Sequence, residues 1–281
     1  MIKHMGGIIM NMKINTMYFS ATDTTKKVVS GIAKKMSASI DREITINNID
    51  FTLPTVRKEA VCFTEEDIVI IGVPVYAGRV PNVLLKYLNS ITGNGALAIA
   101  VVVYGNRNYD DALIELKDIL QLNGFNVVAG GAFIGEHSFS NILAKNRPDE
   151  KDMMVVSDFA DSIYKKITSQ EPIQTVVVNG HTPYRKYYIP RNKNGEPADI
   201  RKVTPKTNGN CIDCKICANV CPMGSIDFKD VSTLNGICIK CGACIKKCPM
   251  HAKYYDDQNY LRHKYELEIE CAHRREPELF L

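Results

Sequence analysis

The chain contains no run of 18 or more apolar residues, so no segment is expected to form a bilayer-spanning helix. It also lacks a strong charge of either sign. Lysine and arginine number 35 against 31 aspartate and glutamate, and the resulting formal +4 is too small to imply a nucleic-acid or membrane-surface partner. Residues 1–12 carry one lysine but neither a long apolar core nor a cleavage site, so no secretory signal is read there. No G-x-G-x-x-G occurs, which leaves direct use of a nicotinamide dinucleotide without support. What remains is a globular composition, 45% apolar, and enough length for one large domain beside a small one.

Two cysteine runs stand out against this background. Cys211, Cys214, Cys217 and Cys221 are followed by Pro222, and Cys238, Cys241, Cys244 and Cys248 by Pro249. Each reads C-x2-C-x2-C-x3-C-P, the bacterial spacing for 4Fe–4S clusters, in which the fourth cysteine ligates the other cluster. The expected ligand sets are therefore Cys211, Cys214, Cys217 and Cys248 for one cluster, and Cys238, Cys241, Cys244 and Cys221 for the second. The runs also repeat: adding 27 to the first set of positions gives the second, and carries Ile212 to Ile239, Pro222 to Pro249 and Met223 to Met250. Such self-similarity implies two half-domains related by a pseudo-two-fold. Zinc sites favour separated C-x2-C pairs with four ligands per ion, and disulfides need an oxidising compartment that nothing here suggests. Two clusters, at about −2 each with their thiolates, bring the loaded protein to about zero or slightly negative. Oxygen-sensitive clusters suit a reducing, anoxic cytoplasm. Cys62 and Cys271 lie outside both runs and receive no role.

The first two-thirds alternates strand and helix. Strands are expected over 12–19, 43–49, 67–73, 97–104 and 126–134, and helices over 24–39, 81–90, 110–122 and 149–168. The runs DIVIIGV and LAIAVVVY are continuously apolar, as strands covered on both faces must be. This alternation implies a doubly wound parallel sheet, with a ligand at the carboxyl ends of strands near the switch point. Three loops lie there, 20–25, 74–79 and 104–110.

Ser20, Thr22, Thr24 and Thr25 place four hydroxyls at a helix N-terminus, a phosphate cradle, although helix capping alone also favours such residues. Tyr76 and Gly78 in the second loop, and Tyr104, Gly105, Asn106 and Tyr109 in the third, offer flat walls and close backbone for a flavin ring. With Asp23, Pro74, Val75, Ala77 and Asp110 from the same loops they make up the candidate cofactor-binding residues.

On the segments SATDTT (20–25), VPVYAGRVP (73–81), VVVYGNRNYDDAL (101–113) and GEHSFS (135–140), together with the cysteine runs, nearly the whole chain resembles clostridial flavodoxin–ferredoxin fusion proteins. The resemblance implies an α/β flavodoxin-like five-stranded parallel sheet of order 2-1-3-4-5 and a C-terminal α+β ferredoxin-like domain. It further implies FMN, two 4Fe–4S clusters and electron transfer. The expected boundaries are 1–168 for the flavodoxin-like domain, 169–205 for a proline-containing linker, 206–257 for the cluster domain and 258–281 for a helical tail. Three positions depart from the pattern. Asp23 and Ala21 stand where glycines are usual in the phosphate loop, and a carboxylate there repels a phosphate unless turned away. Lys215 stands where ferredoxins have glycine, as Gly242 is in the second run, and is expected to raise the potential of the first cluster.

Tyr184, Tyr187, Tyr188 and Ile189 are expected to dock the linker onto the first domain. Seven lysines (206, 215, 229, 240, 246, 247 and 253) against four aspartates over 206–256 suggest either steering of an acidic ferredoxin partner or compensation of cluster charge. For Glu136 and His137 a polar loop is the commoner explanation, and the GEHSFS segment keeps open a place facing the flavin or the module interface. The functional expectation is an electron carrier exchanging with a redox protein. The alternative is an FMN-dependent reductase, fed through the clusters, with His137 or Tyr109 as proton donor.

Overall fold

A computed structural model describes residues 12–40 and 44–281; most of the lead-in segment and Glu43, at the start of the second expected strand, lie outside the described residues. The buried runs become the central strands β3 (Asp67–Pro74) and β4 (Leu97–Tyr104), flanked by β1 (Lys13–Tyr18), β2 (Ile46–Asp50) and β5 (Asn126–Ile134). These five pair in parallel in the order β2-β1-β3-β4-β5. This is the flavodoxin-like doubly wound arrangement, with its switch point between β1 and β3.

Strand period sorts the side chains into two cores. Val69, Ile71, Val73, Ala98, Ala100 and Val102 face one side, where they meet α2 (Asn82–Leu88) and α3 (Ala112–Leu122). Ile68, Ile70, Ile99, Val101 and Val103 face the other, under α1 (Thr24–Ala38) and α4 (Glu150–Thr168). At Gly72 a Cβ would stand 2.3 Å from Val29 Cγ2, so α1 lies as close to β3 as a missing side chain allows. An Asp149–Asp152 capping box opens α4.

No helix or strand occurs between α4 and β6 (Lys206–Thr207). The segment is nonetheless fixed. Val176 and Val178 are buried in the first core, Tyr184 Oη donates to Asp118 at 2.6 Å, and Tyr187 Oη donates to the Val80 carbonyl at 2.8 Å. The Arg79 guanidinium lies over both rings, and its own fork is bidentate on Glu115 of α3.

The cluster region adds α5 (Ile216–Asn219), α6 (Ala243–Lys246) and β7 (Lys253–Tyr254), which pairs with β6. The C-terminal tail differs from the helical reading. Only α7 (Gln258–Glu270) is helical, and Glu278–Phe280 forms β8, a sixth strand antiparallel to β5. Two contacts explain the change. Asn106 Nδ2 donates to the carbonyls of Cys271 and His273, both at 2.7 Å, which draws the chain out of the helix. The open edge of β5 then supplies unpaired backbone groups for β8. No helix among the described residues is long and apolar enough to cross a membrane.

Candidate functional site

The eight run cysteines gather around two cavities. Cys211, Cys214, Cys217 and Cys248 line the first, and Cys238, Cys241, Cys244 and Cys221 the second. Every residue lining the first, except Val231, has a counterpart 27 positions away lining the second. The repeat reaches the backbone: left-handed φ angles occur at Asp213 and Lys240, at Lys215 and Gly242, and at Gly224 and His251. The fourth cysteine of each run receives a matching amide, Ser225 N–H to Cys221 Sγ at 3.4 Å and Ala252 N–H to Cys248 Sγ at 3.3 Å. Among the described residues no three His, Cys, Asp or Glu groups could hold a single metal ion. Four thiols line each cavity, a donor set that fits an iron–sulfur cluster. Burial pushes the Cys241 thiol up to about 12, and raises Cys217 and Cys244 as well. Iron must offset that deprotonation cost.

The two cavities differ in setting. Cys214 is exposed, whereas Cys241 and Ala243 belong to the first core of the sheet domain, in the same cluster as Val75 and Tyr76. Burial, then Cys241 and Cys238, raise the Tyr76 hydroxyl well above its ordinary range. A Cβ on Gly242 would stand 2.5 Å from the Ser138 carbonyl. Tyr255 Oη lies 3.6 Å from Cys238 Sγ, and its ring packs on Tyr260, Tyr260 on Phe139, and Phe139 on His137. His137 in turn fills the space a Gly105 side chain would occupy. The second cavity therefore adjoins the sheet-end loops, and the first faces outward.

In loop 20–25, Ser20 and Thr25 are buried, and Ser20 Oγ accepts from Lys26 N–H. The amides of residues 21–25 donate to no acceptor among the described residues. Hydroxyls and free amides at the start of a 15-residue helix fit a phosphate. Asp23 adopts φ 65°, makes no capping bond, and reaches Lys247 at 2.9 Å. Its carboxylate is turned toward the cluster region. Pro74, Val75 and Tyr76 are partly buried and Ala77 is exposed; the Ala77 carbonyl accepts from Tyr188 N–H at 2.9 Å.

The third loop is more occupied. Tyr104 and Tyr109 are buried against each other, and Tyr109 Oη donates to Glu278 at 2.6 Å. Asn106 is spent on the tail, Gly78 on a close contact with Asp110, and Asp110 on Arg107. His137 is held neutral, its ring pushed down to about 3 by burial and then by His263, Lys246 and Arg107; its Nδ1 accepts from Phe139 N–H.

Of the seven lysines, Lys206 pairs with Asp256, Lys215 with Asp213, Lys246 with Glu136 and Lys247 with Asp23. Lys240 and Lys253 are buried and donate to neutral acceptors. Four of the seven charges thus meet a carboxylate within the molecule, and two of these pairs, at Lys246 and Lys247, tie the cluster region to the sheet domain. Two features escaped the sequence reading: the tail over Asn106, for which a carbonyl acceptor leaves no sequence signal, and Lys253, whose signal is the break it makes in the 27-residue repeat.

Residues 169–263 match the family model of the 4Fe-4S dicluster domain. The matched region includes the docked segment before β6. No curated protein matches the chain. Solved structures similar to it include a flavodoxin from the domain Archaea, at 14% identity over 56% of this chain and all of that one, TM-score 0.39. Oxidised flavodoxin 2 from Bacillus cereus is similar at 17% identity over 55% and 99%, TM-score 0.39. The apo form of an NADH:FMN oxidoreductase, for which no organism is given, is similar at 17% identity over 57% and 92%, TM-score 0.41. At these values the likenesses add nothing to the topology already described.

Proposed function

We propose, from a flavodoxin-like sheet and a 4Fe-4S dicluster domain joined in one chain, that this protein is an electron-transfer iron–sulfur flavoprotein. Cys211, Cys214, Cys217 and Cys248 hold the outer cluster and Cys238, Cys241, Cys244 and Cys221 the inner one. Loop 20–25 holds the FMN phosphate through its free amides and through Ser20, Thr22, Thr24 and Thr25, and loop 74–79 presents Tyr76 toward the ring. When bound, the clusters carry single electrons and the flavin takes one or two.

The observation that carries this reading is the place of the second cavity, with Cys241 packed in the core that also holds Val75 and Tyr76. The chain's residues order the centres: exposed Cys214 marks the side where a redox protein exchanges electrons, and Cys241 the side facing the flavin loops. The aromatic stack from Tyr255 through Tyr260 and Phe139 to His137 fills the space between and excludes water. The reductase alternative gains no support, because the Tyr109 hydroxyl is engaged as a hydrogen-bond donor to Glu278 and the half-buried His137 ring is held neutral.

Replacing Cys241 and Cys244 together by alanine removes two of the inner cluster's four ligands. With FMN content unchanged, flavin reduction by a one-electron protein donor should fall at least about tenfold. Reduction at the unmodified rate would contradict the relay.

A further inference from the structure

The 27-residue repeat supplies an internal comparison for every residue near the two centres. Around the second cavity, Ile226 bridges Leu234, and both side chains line the wall. The equivalent positions around the first are Lys253 and Thr207, which also pair, as β7 with β6. An apolar pair has thus been exchanged for a polar one as a unit. Lys253 Nζ donates to Thr207 Oγ1 at 2.7 Å and to the Val231 carbonyl, and the residue is only 3% exposed. It lines the first cavity, yet no carboxylate of the described residues pairs with it. Two neutral acceptors take two of its three protons and leave its charge uncompensated, an expensive arrangement unless an anion occupies the space beside it.

We propose that Lys253 is the built-in counter-ion of the outer iron–sulfur centre and makes the two centres unequal, holding the one at Cys211, Cys214, Cys217 and Cys248 at the higher reduction potential. The inference rests on the relay reading above. One-electron reduction adds one negative charge to a centre, and a buried cation in its wall stabilises that product more than a screened surface charge can. Ile226 puts no charge in the wall of the inner cavity; the buried Lys240 lies outside that wall, its ammonium drawn to the Arg201 and Cys238 carbonyls, both at 2.8 Å. Lys215 against Gly242 and Asp213 against Lys240 are also asymmetric in the repeat, but the Lys215 ammonium lies 2.7 Å from Asp213 and 3.0 Å from the Lys229 carbonyl. The pair is nearly neutral as a unit, so Lys253 and not Lys215 sets the difference. Loaded with clusters, the outer site would hold an electron more readily than the inner one.

The test is an anaerobic potentiometric titration with dithionite, followed by electron paramagnetic resonance, after iron and sulfide have been counted. The unmodified protein should show two resolved one-electron waves, and Cys214→Ser should perturb the upper one. Lys253→Ile, which restores the repeat, and Lys253→Gln, which keeps a hydrogen-bond donor, should each shift the upper wave down toward the lower. Lys215→Gly should shift it less. Coincident waves in loaded wild-type protein, a Cys214→Ser effect confined to the lower wave, or a loaded Lys253 variant with an unmoved upper wave overturns the inference and leaves the relay standing. Wild-type protein without acid-labile sulfide overturns both. If neither Lys253 variant retains iron, the wild-type waves and the Cys214→Ser assignment decide alone.

Discussion

Asp23 shows how a single residue changes meaning between sequence and structure. In the sequence its carboxylate conflicts with the anion that the surrounding hydroxyls invite. In the structure its backbone takes the left-handed conformation usual for glycine, and its side chain points away to Lys247. The conflict is reduced, not removed, since the charge remains beside five free amides. Asp23→Gly keeps the backbone geometry at no steric cost and deletes the charge. FMN affinity of the apoprotein should rise about two- to fivefold, the usual worth of a charge at a helix terminus. An unchanged dissociation constant in a fluorescence titration would mean that Lys247 already cancels the carboxylate. Tyr104 and Tyr109 moved the other way. Their spacing in a switch-point loop suggests flat walls, but burial and the bond to Glu278 make them core residues, a partner no local pattern could announce.

Among the elements, those with a dense local signal were legible. The ends of β4 and β5 coincide with the ends of their apolar runs, because continuous burial leaves no ambiguity of period. β8 was not legible: three residues carry no periodicity, and only the open edge of β5 makes them a strand. The segment 169–205 has no regular structure, yet its docking was foreseeable from Tyr184 and Tyr187. Its strongest anchor was not. Asp111, at the start of α3, accepts from His181 N–H and from Arg185 through backbone and guanidinium, with its side chain fully buried. Burial would raise the Asp111 carboxyl, but these donors outweigh it and hold the group well below its usual range. The sign follows: the anchor is intact above the unfolded value of about 3.9 and weakens as pH falls below it. Asp111→Asn removes the charge at all pH values. It should cost about 2 kcal/mol in chemical denaturation and speed limited proteolysis within 169–205 at neutral pH. Wild-type cleavage rates in the variant would show that the tyrosines alone hold the segment.

Across the whole molecule, the cluster region is joined to the sheet domain by contacts at three of the sheet-end loops. Lys247 reaches Asp23, Lys246 reaches Glu136 and the Ser140 carbonyl, and Arg57 reaches the Pro222 carbonyl at 2.6 Å. Two of the lysines that suggested a basic docking face, Lys246 and Lys247, are means of this internal join. What the cysteine spacing alone could not tell is which cavity faces inward, since the repeat is symmetric and only the fold breaks the symmetry. All of this requires that the two cavities hold iron–sulfur clusters beside a flavin. Chemical analysis of anaerobically purified protein tests that requirement most directly. Iron and acid-labile sulfide should each come to about eight per chain, with about one FMN released on denaturation. A preparation that holds tetrahedral zinc in place of iron, with no labile sulfide and no flavin, would contradict it.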